Sequence, residues 1–211
     1  MIIRLSKKLS EKIKEPDLPV VPPADNPYLD WHSHIFRHRR NQYIMVTNSK
    51  SMFSIFMHGA GITDFNKFYG RMSDVLKDTL HEIGAGLIYE RIIAPHFASI
   101  RLAKAQDKKI IGSMNEHIFY AKDTLDMLDM NPYDLGFKVN EYILSIIKYA
   151  SPKEAFLGMN AETGENAKAE PKSVQQPENK NVINPTFVQE KPIGAGRHLR
   201  LWKSEDEERD T

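Results

Sequence analysis

Apolar positions in the first 157 residues recur at two spacings, and the change from one to the other predicts the elements. MIIRL is a short apolar run suited to a strand. In SKKLSEKIK, which follows, Leu5, Leu9 and Ile13 stand at i, i+4 and i+8, the spacing of a helix opened by a Ser6 cap. EPDLPVVPPADNP holds five prolines in thirteen residues and predicts an extended connector. YLDWHSHIF fits either period. A helix would align Trp31, His34, Ile35 and His38, whereas a strand would align His32, His34 and Phe36; Pro27 just before it suits a first helical turn and favours the helix.

NQYIMVTN and SMFSIFMHG are β-branched and aromatic runs joined by the polar turn Asn48 to Ser51, which predicts an antiparallel hairpin. DFNKFYGRMSDVLKDTLHEIG carries Phe65, Phe68, Met72, Val75, Leu76 and Leu80 at helical spacing, opened by Thr63 or Asp64 and closed by Gly84. LIYERIIA suits a strand or a short helix, while SIRLAKA and KKIIG read as extended segments meeting at Gln106 to Lys108. A second helix is expected from SMNEHIFYAKDTLDML, where Ser113 and Glu116 form a capping box ahead of Ile118, Leu125 and Leu128. NPYD is a further cap with proline in the first turn, and FKVNEYILSIIKYA closes the body in an apolar segment of open type. Locally paired strands without regular βαβ alternation predict an α+β domain over 1–157. Its mainly antiparallel sheet would be flanked by helices at 64–83 and 114–129.

From Gly158 the chain turns rich in Glu, Asn, Lys, Gln and Pro, too poor in apolar residues to bury a face, which predicts a disordered tail. Within it, Leu199, Leu201 and Trp202 lie between a basic flank and an acidic run, the pattern of a short docking segment near 197–203 for a protein partner.

Charge and composition narrow the chemistry. A formal net charge of +1 gives no global field for nucleic acid or a membrane surface, so any electrostatic argument is local. The absence of cysteine removes disulfides, thiolate metal sites and thiol nucleophiles. With no signal-peptide core and no run of about 18 apolar residues, the expected compartment is the cytoplasm, with no membrane partner. The P-loop, Rossmann, His-Glu-x-x-His and nucleophile-elbow patterns are missing, and no cofactor is expected.

The densest candidate chemistry is WHSHIFRHRR, with three histidines and three arginines in ten positions. His32 with His34 on a strand, or His34 with His38 on a helix, would offer two metal ligands. Nothing selects a third, and the arginines repel a cation, so no metal is expected. Arg37, Arg39 and Arg40 with His32 suit an anion better, because guanidinium matches phosphate oxygens bidentately. His32 also suits general acid–base catalysis on a phosphodiester, since imidazole titrates near neutrality. Against both stands the plain reading that arginines collect at a helix end for the dipole. Thr47 and Asn48 fit turn satisfaction more readily than ligand contact. Asn115, near the expected cap at Ser113 and after Gly112, would present an amide beside free backbone N–H groups to an anion.

Taken together, MIIRLSKKL, NPYLDWHSHIFRHRRNQYIMVTNSKSMFSIFMHG, KIIGSMNE and NEYILSIIKYASPKEAF resemble a family of uncharacterised prokaryotic proteins known as a domain of unknown function. Its pattern is a Trp-His block leading through Phe to Arg-Arg, then a Thr-Asn turn and a Gly-Ser-Met-Asn stretch. The likeness covers roughly residues 1–157 and implies a small intracellular domain with no established activity. It maps the recurring positions onto Trp31, His32, Arg39, Arg40, Thr47, Asn48, Gly112, Ser113, Met114 and Asn115.

The function expected from these features is binding of an anionic partner, most plausibly nucleic acid or another phosphate-bearing ligand, through Arg37, Arg39, Arg40 and His32. Two alternatives are a metal-independent phosphodiesterase or ribonuclease with His32 as acid–base, and a protein-interaction component acting through the tail.

Overall fold

MIIRL does form a strand, and it becomes the hinge of the sheet. In the computed structural model, which describes residues 1–160, five strands lie in the order β4-β3-β2-β1-β5. They are β1 (Ile2–Leu5), β2 (Asp30–His38), β3 (Asn41–Asn48), β4 (Ser54–His58) and β5 (Arg101–Lys104). β2, β3 and β4 form an antiparallel meander, whereas β1 runs parallel to both β2 and β5. The sheet is therefore mixed, with the longer ladders antiparallel: eight residue pairs join β2 to β3, and four join β1 to β2.

The helical expectation for YLDWHSHIF is corrected. Pro27 opens only a single turn, Pro27–Leu29, capped by the Asn26 side chain, and the chain then runs extended through Asp30–His38. The segment satisfies two faces at once, which a strand allows. Trp31 and Ile35 belong to one core, and Phe36 belongs to the other. Strands buried on both sides carry nearly continuous apolar runs, and YIMV in β3 and SIFM in β4 are such runs.

One face packs Trp31, Ile44, Val46, Ile55 and Met57 against Leu9 of α1 (Lys7–Lys12) and Phe68, Met72, Leu76 and Leu80 of α2 (Phe65–Glu82). As expected, α2 is capped by Asp64, whose carboxylate accepts the Lys67 N–H, and it is followed by Gly84 at φ +80°. The segment LIYERIIA is helical, running from α3 (Gly86–Ile88) through a π turn, Tyr89–Ile93, into a 3-10 turn, Ala94–Ser99. The opposite face packs Phe36, Tyr43, Met45 and Phe56 against Met114, Ile118 and Ala121 of α4 (Lys108–Met127) and Leu135 and Val139 of α5 (Pro132–Val139). A capping box between Ser151 and Glu154 opens α6 (Pro152–Leu157), which delivers Phe156 to the core beside Trp31 and Phe53.

Two further expectations change. KKIIG is the first turn of α4 and not an extended segment, because Asp107 caps the helix by accepting the Lys109 and Ile110 N–H groups. Ser113 is consequently a buried residue inside α4 and caps nothing. Gly112 misleads here: a lone glycine costs a helix only about 1 kcal/mol, and Asp107 sets the start. Among the described residues no helix is long and apolar enough to cross a membrane. The expected tail opens in ordered chain, since Gly158 caps α6 and Met159 is buried in the core; the rest of it, with the segment near 197–203, lies outside the described residues.

Candidate functional site

The chain leaves β1 and β5 in opposite directions. β1 passes through Ser6 into α1 on one face of the sheet, while β5 passes through Ala105 into α4 on the other. Such a divergence at the carboxyl ends of parallel strands opens a crevice, the usual place for a ligand in open sheets with helices on both faces. Here a cleft of about 220 Å³ is lined by Ser6, Lys7, His32, Ser33, His34, Ala105, Ile111, Met114 and Asn115.

The register places a polar row beneath α4. Arg4 pairs with His32, His32 with Thr47, and Thr47 with Ser54, so four polar residues cross four strands on one face. Arg4 grips Asp30 with two bonds, Nε donating to Oδ1 and Nη2 to Oδ2, each at 2.8 Å. It also donates to the carbonyls of Val21 and Pro22 in the proline connector. Burial alone would raise the Asp30 carboxyl, but hydrogen bonds from Arg4, the Ala24 N–H and Ser49 outweigh it and hold it below the usual range.

This pair fixes the state of His32. An ionised Asp30 only accepts, so Ser49 Oγ, 2.8 Å from Asp30 Oδ1, must donate to it. The Ser49 oxygen then accepts from His32 Nδ1, also at 2.8 Å, which puts the ring proton on Nδ1 and leaves Nε2 as a bare lone pair. Nε2 is buried and has no hydrogen-bond partner among the described residues. Burial, helped by Arg4 and opposed by Asp30, pushes the His32 pKa down to about 4, so the ring is neutral at pH 7. Ser6 Oγ and Ser33 Oγ, from two other residues of the cleft wall, are likewise buried without partners among the described residues. His34 adds a half-buried imidazole whose pKa is lowered by burial and by Lys8.

Deeper under α4, the row ends in a second buried histidine. His117 Nδ1 lies 3.0 Å from Ser54 Oγ, which contacts Thr47 Oγ1 at 2.8 Å and donates to the Met52 carbonyl; burial holds the His117 pKa at about 4.

The expected grouping of His32 with Arg37, Arg39 and Arg40 does not occur. Arg39 and Arg40 form the two-residue turn between β2 and β3, with Arg39 at φ 51°, and not a helix end. They stand seven or eight residues along an extended strand from His32, roughly 20 Å away. Arg39 meets Asp126 of α4 at 2.6 Å, an exposed pair, and His38 reaches the same carboxylate at 3.1 Å. Exposed Arg37 points to the other side of β2 from His38 and lines a separate cleft with Lys8, Lys12 and Gln42.

Asn115 does line the His32 cleft, but from inside α4, where no free N–H groups accompany it. Trp31 is core, its Nε1 donating to the Tyr28 carbonyl. Asn48 is consumed by its turn, accepting from Lys50, Ser51 N–H and Ser51 Oγ and donating to the Pro27 carbonyl. Arg4 and Ser49, which fix the His32 tautomer, were not singled out by the pattern; an arginine inside the apolar run MIIRL was the available signal.

A model of the family described as domain of unknown function (DUF6933) matches residues 2–155. The chain belongs to that family. The DUF6933 match takes in every element from β1 to the first turns of α6, and so the whole His32 cleft. No curated protein and no solved structure matches the chain.

Proposed function

We propose that this domain binds a small molecule in the cleft at the carboxyl ends of β1 and β5, and that His32 Nε2 accepts a hydrogen bond, or a proton, from a hydroxyl or N–H of that ligand. The observation that carries this is the bare Nε2, fixed by the Arg4–Asp30–Ser49 chain inside a cleft. A polar atom left buried without a partner costs about 1–3 kcal/mol, which a complementary ligand recovers. The neutral ring is also in the right form for a general base, a role that needs its lone pair free near neutral pH.

The direct test is nitrogen-detected NMR of the histidine rings at pH 7. His32 should show protonated Nδ1 and unprotonated Nε2, and a fragment panel of small alcohols and amides should yield ligands that shift the Nε2 signal and are lost in His32→Phe. Protonation on Nε2, or ligands that leave the His32 ring unmoved, would sink the reading.

One observation favours a second reading, contact with a phosphate-bearing partner such as nucleic acid. Lys8, Lys12 and Arg37 line a cleft of about 410 Å³ with no carboxylate in its wall among the described residues. Such a partner would be held by these three cations, without Arg39 or Arg40. A phosphodiesterase that joins His32 to Arg39 or Arg40 has no support in this geometry.

A further inference from the structure

A second cleft of about 720 Å³ lies at the carboxyl ends of β1 and β5 on the α1 side of the sheet, where Lys104 pairs with Leu5; it meets the His32 cleft, on the α4 side, around the strand ends at Lys7 and Ala105, which are walls of both. Its far wall is the proline connector, Pro16 to Pro19, tied down where the Lys104 N–H donates to the Pro19 carbonyl at 2.9 Å. Among the described residues three charged groups line it: Lys7, Lys104 and Asp17. Lys104 and Asp17 have no ion-pair partner among the described residues. Lys7 has only an exposed contact to Glu11 at 3.9 Å, too long and too wet to hold it. Two cations against one carboxylate leave room for a single negative charge, and Asp17 opposes a dianion.

We infer that the two clefts form one site for a small hydroxy acid: its hydroxyl donates to His32 Nε2 beside the apolar wall of Ile111 and Met114, and its carboxylate lies between Lys7 and Lys104. This rests on the small-molecule reading of the His32 cleft and adds the chemistry of the far end. A carboxylate held by ammonium groups makes charge-assisted hydrogen bonds, while the hydroxyl satisfies the acceptor that the fold leaves buried. Neither end suffices alone, since a plain alcohol wastes the lysines and a plain carboxylate leaves Nε2 unpartnered.

The experiment titrates the full chain with ω-hydroxy carboxylates of increasing length, 4-hydroxybutanoate to 8-hydroxyoctanoate, each set against the matching diol and the matching unsubstituted carboxylate. Binding is followed by amide shifts and by the His32 ring nitrogens. One length of hydroxy acid should bind about tenfold tighter than either single-ended analogue. Lys104→Gln and Lys7→Gln should each remove most of that advantage without weakening the diol, while Asp17→Asn should tighten the hydroxy acid. A diol that binds as well as the hydroxy acid and shifts His32, with Lys104→Gln neutral, overturns the anionic end and leaves the His32 reading standing. If no compound in the series shifts the His32 ring, both fall.

Discussion

The two ends of β2 carry the same residue types and have opposite characters. At its start, Asp30 and His32 are buried, joined to Arg4 and Ser49 by short bonds, and the histidine is kept neutral with one nitrogen unused. At its end, His38 and Arg39 meet Asp126, whose side chain is half exposed, on the rim of α4. Water separates the cases. In the dry interior each donor and acceptor has a definite assignment, so a bare lone pair is a durable feature; at the rim the exposed Arg39–Asp126 pair exchanges with solvent and fixes little. A dense run of His and Arg in sequence is therefore two separate places in the molecule.

That contrast can be broken most forcefully at the buried end. Arg4→Met strands the Asp30 carboxylate without its partner, and urea unfolding at pH 7 should show a loss of about 3–5 kcal/mol. A loss under 1 kcal/mol would mean that the buried pair is not the anchor it resembles.

Acid should come next. The folded pKa values of His32 and His117, about 4, lie below the ordinary 6.5, so the native state disfavours protonation of both. Their neutral forms support full stability above pH 6.5, and that support is lost as pH falls from 6.5 towards 4, by about 3 kcal/mol per ring at most. Asp30 is likewise held below its ordinary value, so the stability it contributes at neutral pH is lost only at more acidic pH, once the unfolded chain takes up the proton. Denaturation midpoints between pH 7 and 4.5 should therefore fall steeply, and His117→Leu should flatten the slope. A curve level across this window would show that the two rings are not buried as described.

The smallest effect belongs to the exposed end. Arg39→Ala should cost less than about 1 kcal/mol, vanishing in high salt. It should also leave affinity for single-stranded RNA unchanged, whereas Arg37→Ala, in the basic cleft, should weaken it and reduce its salt dependence. Equal losses from both arginines would restore a shared surface that the geometry divides.

Much of the body was legible as pattern. The spacing from Phe65 to Leu80 and the Asp64 cap define α2, and the turn Asn48 to Ser51 defines the β3–β4 hairpin, because each signal is local and nothing distant competes with it. The failures have two causes. Trp31-His32-Ser33-His34 matches a helical stripe as well as a strand because both of its faces are buried, and the second face is supplied by α4, more than 70 residues away. The start of α4 was misplaced because Gly112 looked like a boundary, while the actual cap, Asp107, lies in a polar stretch with no apolar period to mark it.

Of the candidate site, the sequence alone nominated His32 and Asn115, since residue type carries chemistry wherever it falls. That Asn115 and His32 share a cleft, that Arg39 does not, and that Ser49 and Arg4 leave one nitrogen of His32 empty were decided by register and by the side of the sheet each helix covers. Local periodicity follows from the geometry of a few consecutive residues and can be read in one dimension. The position of a proton on a buried ring depends on what distant segments press against it, and only the closed fold supplies those neighbours.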